Sequence, residues 1–345
     1  MSFQSDKYTL RLADVADNEG IREIFESESF RGNLDVKFLR NPAPYESFLA
    51  DGDEAKILVA EEKESSKLIA VGGAVIRQEF VNGREEKCAY LTGLKIHPEY
   101  RKKFFRLMEA YDLIHENIKD CRCAYTTVLD SNTAAIKMFE KKRKGMPDYH
   151  YLGHYTTYCF HGGRRKLSVE KNRLEGFEEL FRTYFSKQSL VPCKFDYKGF
   201  GEKDFYCIRK DGEIIACCFV GNQQAGKQYK MCSYGGVFRF LSKLPTRWFG
   251  YPKFPKADRI INHGVVSYLY VKGNDAKLCK DFLRSVAAEC GFELLLWGCF
   301  ENHPLSEAFA RMKTVKYGSR LYSVAWDGDV PVEIAGVIGM EAALL

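Results

Sequence analysis

No apolar run in the 345 residues approaches the roughly 18 positions that a membrane-crossing helix requires. The opening stretch, "MSFQSDKYTLRLADVADNEG", is polar and mixed in charge, the pattern of neither a secretory signal nor a transit peptide. A cytoplasmic protein with no membrane partner is the expectation. The 12 cysteines include no CxxC pair and no Cys/His zinc spacing. Cys121 and Cys123 form a CxC without a second half, so no metal site is expected. Cys207, Cys217, Cys218 and Cys299 lie in apolar, strand-like runs, where free thiols behave as small hydrophobes and suit a reducing compartment. A Ser/His/Asp arrangement and a dinucleotide-type glycine fingerprint are missing as well.

The chain is longer than one hydrophobic core usually serves, which predicts two domains. Its 46% hydrophobic and 28% charged residues, with 20 Tyr and 25 Phe, are those of a globular protein with ample core material. A net charge of +6 favours an anionic cofactor or substrate but is too small for a dedicated nucleic-acid binder.

Tyr8 to Leu12 reads as a strand and Ile21 to Phe25 as part of a helix. Strands follow in "AKILVAEE" and "SKLIAVGGAVIRQEF", and the Asn-Gly of "VNGR" (Val81 to Arg84) is the strongest two-residue hairpin signal. After the strand "CAYLTGLKIHP", Phe104, Leu107, Met108, Tyr111, Ile114 and Ile118 recur at helical spacing and predict one buried face. "CAYTTVLD" is a β-branched strand. Asp130, Ser131 or Asn132 can cap a helix through "NTAAIKMFEKKRK", and "YHYLGHYTTYCF" adds one or two strands. His161 to Arg173 is polar, basic and Gly-containing, as a linker would be.

The second half repeats this plan. It has a hairpin in "FYCIRKDGEIIACCFV", the strand "VVSYLYV", and a helix in "KLCKDFLRSVAAEC" with Leu278, Phe282, Val286 and Cys290 on one face. The strand "FELLLWGCF", a helix in "NHPLSEAFARMK" and the strand "RLYSVAW" complete it. "NTAAIKMFEK" aligns with "NHPLSEAFAR", Asn132 on Asn302 and Phe139 on Phe309, at an offset of 302 − 132 = 170 residues. Two copies of one α/β unit on a mixed α+β sheet are expected. Their bounds are 1–163, a linker over 164–175, a diverged copy over 176–330 and a tail over 331–345. The copies differ in the loop region: Ile96 to Asn132 is 132 − 96 = 36 positions, Val271 to Asn302 only 302 − 271 = 31. Asn302 and His303, before Pro304, read as helix-start chemistry.

"LKIHPEYRKKFFRLMEAY" (Leu94 to Tyr111) concentrates Arg101, Lys102, Lys103 and Arg106 where a helix begins. Cations there oppose the positive pole of the helix dipole. An anionic ligand such as a phosphate reverses that sign; without one, the run is a solvated basic first turn.

The order strand, "HPEYR", helix, strand, "NxxAxxxFEK" resembles the GNAT superfamily of N-acetyltransferases, strongly over residues 90–141 and by element order over 8–160. The resemblance implies a tandem GNAT-like acyl-CoA N-acyltransferase fold in two copies, with acetyl-CoA or another acyl-CoA as cofactor. It also implies a small-molecule or peptide amine as acceptor, attacking the thioester directly. Leu94 and Ile96 would line the pantetheine arm, with the Ile96 amide as oxyanion donor. Arg101, Lys102, Lys103, Phe104 and Arg106 would form the phosphate loop, with Asn132 and Phe139 beside the thioester arm. The sequence departs from the family pattern at three points. Phe104 and Arg106 replace the loop glycines that let a backbone approach phosphate. Phe139 replaces the tyrosine that protonates the leaving thiolate. The second copy, with "KGNDAKLCK", lacks the basic loop.

Amine attack on a thioester needs an oxyanion donor and a proton acceptor. Glu79, Glu85, Glu86, His97 and Glu99 lie on or near the flanking strands, with Glu86 and His97 as candidate bases; each also reads as a surface group. Tyr149, Tyr151, Tyr155 and Tyr158 offer a substitute acid, Tyr155 foremost, or simple strand packing. The alternative is a catalytically degenerate GNAT-fold protein that binds a metabolite, peptide or protein partner. Gly236 to Lys256 interleaves aromatics with Arg239, Lys243, Arg247, Lys253 and Lys256. It reads as a loop packed on the second half, as a wall of the acceptor site, or, least favoured, as a surface for single-stranded nucleic acid. Oligomeric state is left open.

Overall fold

The computed structural model describes all residues except 1–2, 5–6, 30–32, 102–105, 142–143, 162–165, 197–199, 250 and 311; at 3, 4 and 247 it describes the backbone alone. The N-terminal half runs β1 (Phe3–Gln4), β2 (Tyr8–Leu12), α1 (Asn18–Glu26), β3 (Leu34–Leu39), α2 (Pro44–Leu49), β4 (Glu54–Glu62), β5 (Lys67–Val81), β6 (Arg84–Ile96), α3 (Leu107–Asn117), β7 (Cys123–Leu129), α4 (Thr133–Phe139) and β8 (Asp148–Phe160). The C-terminal half runs β9 (Glu170–Lys171), α5 (Phe177–Thr183), β10 (Val191–Pro192), β11 (Phe205–Lys210), β12 (Glu213–Gly221), β13 (Gln228–Tyr234), α6 (Phe238–Leu241), β14 (Arg259–Ile260), β15 (His263–Val271), α7 (Ala276–Glu289), β16 (Leu294–Phe300), α8 (Ser306–Ala310) and β17 (Val315–Ala325).

Local chemistry accounts for much of this. Asn82 and Gly83 both take positive φ, 52° and 79°, which suits the twist of a two-residue hairpin, so β5 and β6 pair along their length. Alternation in β4 then builds two faces. Ile57 and Val59 pack with Ile21, Phe25 and Phe48 of α1 and α2, whereas Leu58 and Ala60 pack with Tyr111, Leu113 and Ile114 of α3. The face expected for α3 was too wide at its start. The helix begins at Leu107, Met108 is 46% exposed, and Phe104 lies outside the described residues.

One fourteen-stranded sheet crosses the molecule in the order β1-β2-β4-β5-β6-β7-β17-β8-β16-β15-β12-β11-β9, with β10 beside β5. Its parallel pairs are β6–β7 and β15–β16. A small second sheet, β14-β13-β3, bridges the halves. The two copies exchange their last strands. β17 lies against β7, pairing Ser319 with Leu129 through Val324 with Ala124, and β8 lies against β16. β8 and β17 also pair with each other, at the centre of the sheet. A cut between residues 163 and 176 therefore leaves each half's closing strand in the other. The segment expected as a linker is fastened too: the amides of Lys166 and Leu167 both donate to Ser285 Oγ (3.0 and 2.9 Å), and β9 joins β11. Nor does the tail trail. Ser189 exchanges backbone bonds with Val337 and Gly339 (2.9 Å each), and Ile338, Met340, Ala343 and Leu344 are buried.

Candidate active site

β6 and β7 pair only between Cys88–Leu91 and Cys123–Thr126. Beyond Leu91, β6 stays with β5 up to Ile96 while β7 follows β17, so the facing edges part and leave a notch with unpaired backbone groups. Thr126 Oγ1 donates to the Leu91 carbonyl (2.8 Å) at the apex. On the β6 side sits a bulge: Gly73 opposes Thr92 and Val71 opposes Lys95, two steps on β5 against three on β6. Gly93, inside the bulge, has φ 73°, and a Cβ there would fall 2.8 Å from Phe48 Cζ. Only glycine meets both constraints.

A cavity of about 310 Å³ opens at the notch. Thr92 to Lys95, Thr126 to Val128, and Asn132, Ala135, Met138 and Phe139 of α4 form one side; Phe25, Phe38, Arg40 and Leu345 form another. Its floor runs under α3 to Tyr111 and Ile114. The walls are mostly apolar, with a few polar groups aimed inward, the composition of a small-molecule site.

Of the residues expected to hold a cofactor, Leu94, Asn132 and Phe139 line this cavity, and Ile96 packs half-buried beside it on the α3 core. Asn132 also caps α4, its Oδ1 accepting from the Ala135 amide (3.2 Å). Phe139 stacks on Tyr149 at 3.9 Å between centroids, and the Tyr149 hydroxyl donates to Tyr111 (2.6 Å). Burial pushes Tyr149 above the ordinary phenol range. Lys102, Lys103 and Phe104 lie outside the described residues. Arg101 is ion-paired with Glu28 and Arg106 with Glu109, so carboxylates already neutralise these two cations. Arg106 keeps its buried Nη1 without a partner among the described residues.

The residues expected as acid and bases lie elsewhere. Glu86, His97 and Tyr155 are all absent from the cavity wall. Glu86 pairs with Glu79 near the hairpin turn, five residues back along β6 from Leu91, about 17 Å at strand rise. His97 stacks edge-on with Tyr100 at 5.9 Å, and its amide continues the sheet by donating to the Ile69 carbonyl (2.8 Å). Tyr155 is fully buried, donates to the Met340 carbonyl (3.2 Å), and is pushed well above the phenol range by that burial. Glu79 is engaged as well, accepting from Arg77 Nε and the Tyr125 hydroxyl (2.8 Å each). Of the tyrosine cluster, Tyr149 is the member that reaches the cavity.

Sequence reasoning missed a buried charge network at the cavity wall. Arg40 Nη2 donates to Asp51 Oδ2 (2.9 Å), Lys227 Nζ sits 3.2 Å from the same oxygen, and the Arg40 guanidinium lies 3.9 Å over the Phe48 ring. Burial pushes Arg40 down to about 9, still charged at neutral pH. Lys227 also donates to the Leu345 and Ala343 carbonyls (2.7 and 3.1 Å), holding the tail against the cavity. Lys95 donates to the Phe25 carbonyl (2.8 Å), and burial pushes it down to about 8. No local signal joins positions 187 residues apart, such as 40 and 227.

The second copy repeats the bulge. Ser267 opposes Phe219 and Tyr270 opposes Cys217, again three steps against two, with Tyr268 at φ 51°. The offset of 268 − 93 = 175 equals that of the strand ends, 271 − 96 = 175. Here, however, the Tyr268 amide donates to Glu341 Oε1 (2.9 Å), and residues 341–344 lie against β15 and β16. The chain's own tail fills the second notch, and burial pushes Glu341 up to about 7.

Residues 18–144 match the family model for the acetyltransferase (GNAT) family. No curated protein sequence matches the chain. Among solved structures, Saccharomyces cerevisiae N-myristoyltransferase with bound myristoyl-CoA is similar at a TM-score of 0.59 and 11% identity, covering 93% of this chain and 83% of that one. A GCN5-related N-acetyltransferase from Sphaerobacter thermophilus is similar at 0.58 and 10%, covering 98% and 100%. At such identities these likenesses establish fold, and they extend it over both halves. The match to the acetyltransferase (GNAT) family model thus falls on the very segment that builds the notch, and the chain as a whole shares the fold of these solved structures.

Proposed function

We propose that the protein transfers an acetyl or other short acyl group from acyl-CoA to a primary amine, at the notch between β6 and β7. The observation that carries this reading is the paired bulge. In the second copy the Tyr268 amide holds a carboxylate oxygen, so the equivalent amide, at Gly93, is a donor of the same geometry facing the cavity. Bound there, acyl-CoA supplies an activated thioester. The Gly93 amide, rather than that of Ile96, is then the donor for the acyl oxygen. Leu94, Asn132 and Phe139 flank the arm, and the unpartnered Nη1 of Arg106 fits an anion at the start of α3. Phe139 offers no proton, so coenzyme A leaves as the thiolate, and the proton that the attacking amine sheds passes to that thiolate, directly or through the Tyr149 hydroxyl.

The second copy serves as support, its notch occupied by residues 341–344. Calorimetric titration with acetyl-CoA, followed by thiol release over an amine panel, tests the proposal. Saturable binding with amine-dependent release is expected; no heat and no thermal shift at millimolar ligand would overturn it. The ion pairs on Arg101 and Arg106, with Phe139, favour a second reading as a binding protein without turnover. That reading predicts binding with no release for any amine.

A further inference from the structure

Between β13 and β14 the chain makes an excursion over residues 235–258, and its outward face is apolar. Val237, Phe240, Leu244, Trp248 and Phe249 are each at least half exposed, Trp248 by 87%. A soluble surface rarely gathers such side chains without a partner. Nor is the segment loosely held. Phe238 packs on Phe254 at 5.7 Å and Phe254 on Tyr234 at 5.8 Å. The Tyr234 hydroxyl donates to the Pro255 carbonyl (2.6 Å), and buried Thr246 donates through Oγ1 to the Pro252 carbonyl (2.7 Å). Inner aromatics thus brace the loop while the outer ones face water.

The charge on this excursion is positive up to its last residue, Asp258, which is already paired with Lys230. No Asp or Glu occurs from 236 to 257, whereas Arg239, Lys243, Lys253 and Lys256 are exposed on the same excursion. We propose that this face docks the protein peripherally on an anionic lipid bilayer, with Phe240, Trp248 and Phe249 entering the headgroup region and the cations pairing with lipid phosphates. Tryptophan and phenylalanine ringed by lysine and arginine are the chemistry of that interface. A second copy fits less well, because a two-fold contact would bring the cations against one another. Single-stranded nucleic acid would leave Val237 and Leu244 without a base to stack on. That no described helix is long and apolar enough to cross a membrane has no bearing on surface contact.

The test is cosedimentation of the full chain with phosphatidylcholine vesicles, with and without roughly a third phosphatidylglycerol. Binding to the anionic vesicles alone, reversed by salt, is expected. The other two tryptophans, Trp297 and Trp326, are buried, so a blue shift of emission on vesicle addition reports Trp248. Phe240→Ser with Trp248→Ser, and separately Lys243→Glu with Lys253→Glu, should each weaken binding by about tenfold or more. Thermal unfolding should stay unchanged in both, because these positions are exposed. Absence of vesicle binding overturns the proposal. So does tighter binding to an oligonucleotide than to vesicles at equal salt, or a stable dimer that Trp248→Ser dissolves.

Discussion

Asp51 carries more than its size suggests. Its Oδ2 faces both Arg40 and Lys227, and all three side chains are at most 5% exposed. Replacing it by Ala would leave the buried Arg40 cation without its anion, and Lys227, which burial pushes well below the ordinary lysine range, without its carboxylate, at a cost of about 3–5 kcal/mol in urea unfolding. By contrast, Lys277→Ala, removing a side chain 88% exposed that pairs with Asp281, should change stability by about 0.5 kcal/mol or less. Glu341 sets a pH signature. Its folded pKa of about 7 lies above the ordinary 4.5, so the folded state holds a proton the unfolded chain has released. Its contribution is full below pH 4.5 and is lost as pH rises through 7. Glu341→Gln keeps an acceptor for the Tyr268 amide and should gain about 2–3 kcal/mol over the wild type at pH 8, with no gain at pH 4. Neither residue announces itself in sequence, because burial of a charge is a property of contacts made far along the chain.

Elements were legible where a local rule decides them. Asn82-Gly83 gave the hairpin and Asn132 the cap of α4, since both signals act within four residues. The start of α3 was not, because spacing alone does not say where a helical stripe stops facing the core. Bulges were also hidden: Thr92-Gly93-Leu94 reads as ordinary strand, yet its extra residue makes the notch. A bulge in β8 shows the stringency. Gly153 of β8 has φ 143°, and a Cβ would lie 2.3 Å from Phe300 Cζ. Gly153→Ala should cost about 2 kcal/mol or more, read as a lower urea midpoint at unchanged slope. His303 kept the structural part expected of it, its Nδ1 accepting from the Leu305 amide (3.2 Å), whereas Asn302 instead donates to the Gly336 carbonyl (2.8 Å).

At the scale of the molecule, the duplicated plan was readable in element order, but the exchange of β8 and β17 was not. Two antiparallel strands with similar alternation can trade places without any change in pattern. The exchange makes the halves interdependent. Residues 1–163 alone would leave β7 and β8 without β17 and β16, exposing apolar strand edges that aggregate. Expressed singly, that fragment should be insoluble; coexpressed with 164–345 it should be recovered as one species by size exclusion. The carboxylate lodged on the second bulge bears on stoichiometry. A tethered occupant competes at an effective concentration of about millimolar or above, without ever diffusing away. Titration to saturation should therefore end at one equivalent of acyl carrier per polypeptide, though the architecture was drawn twice.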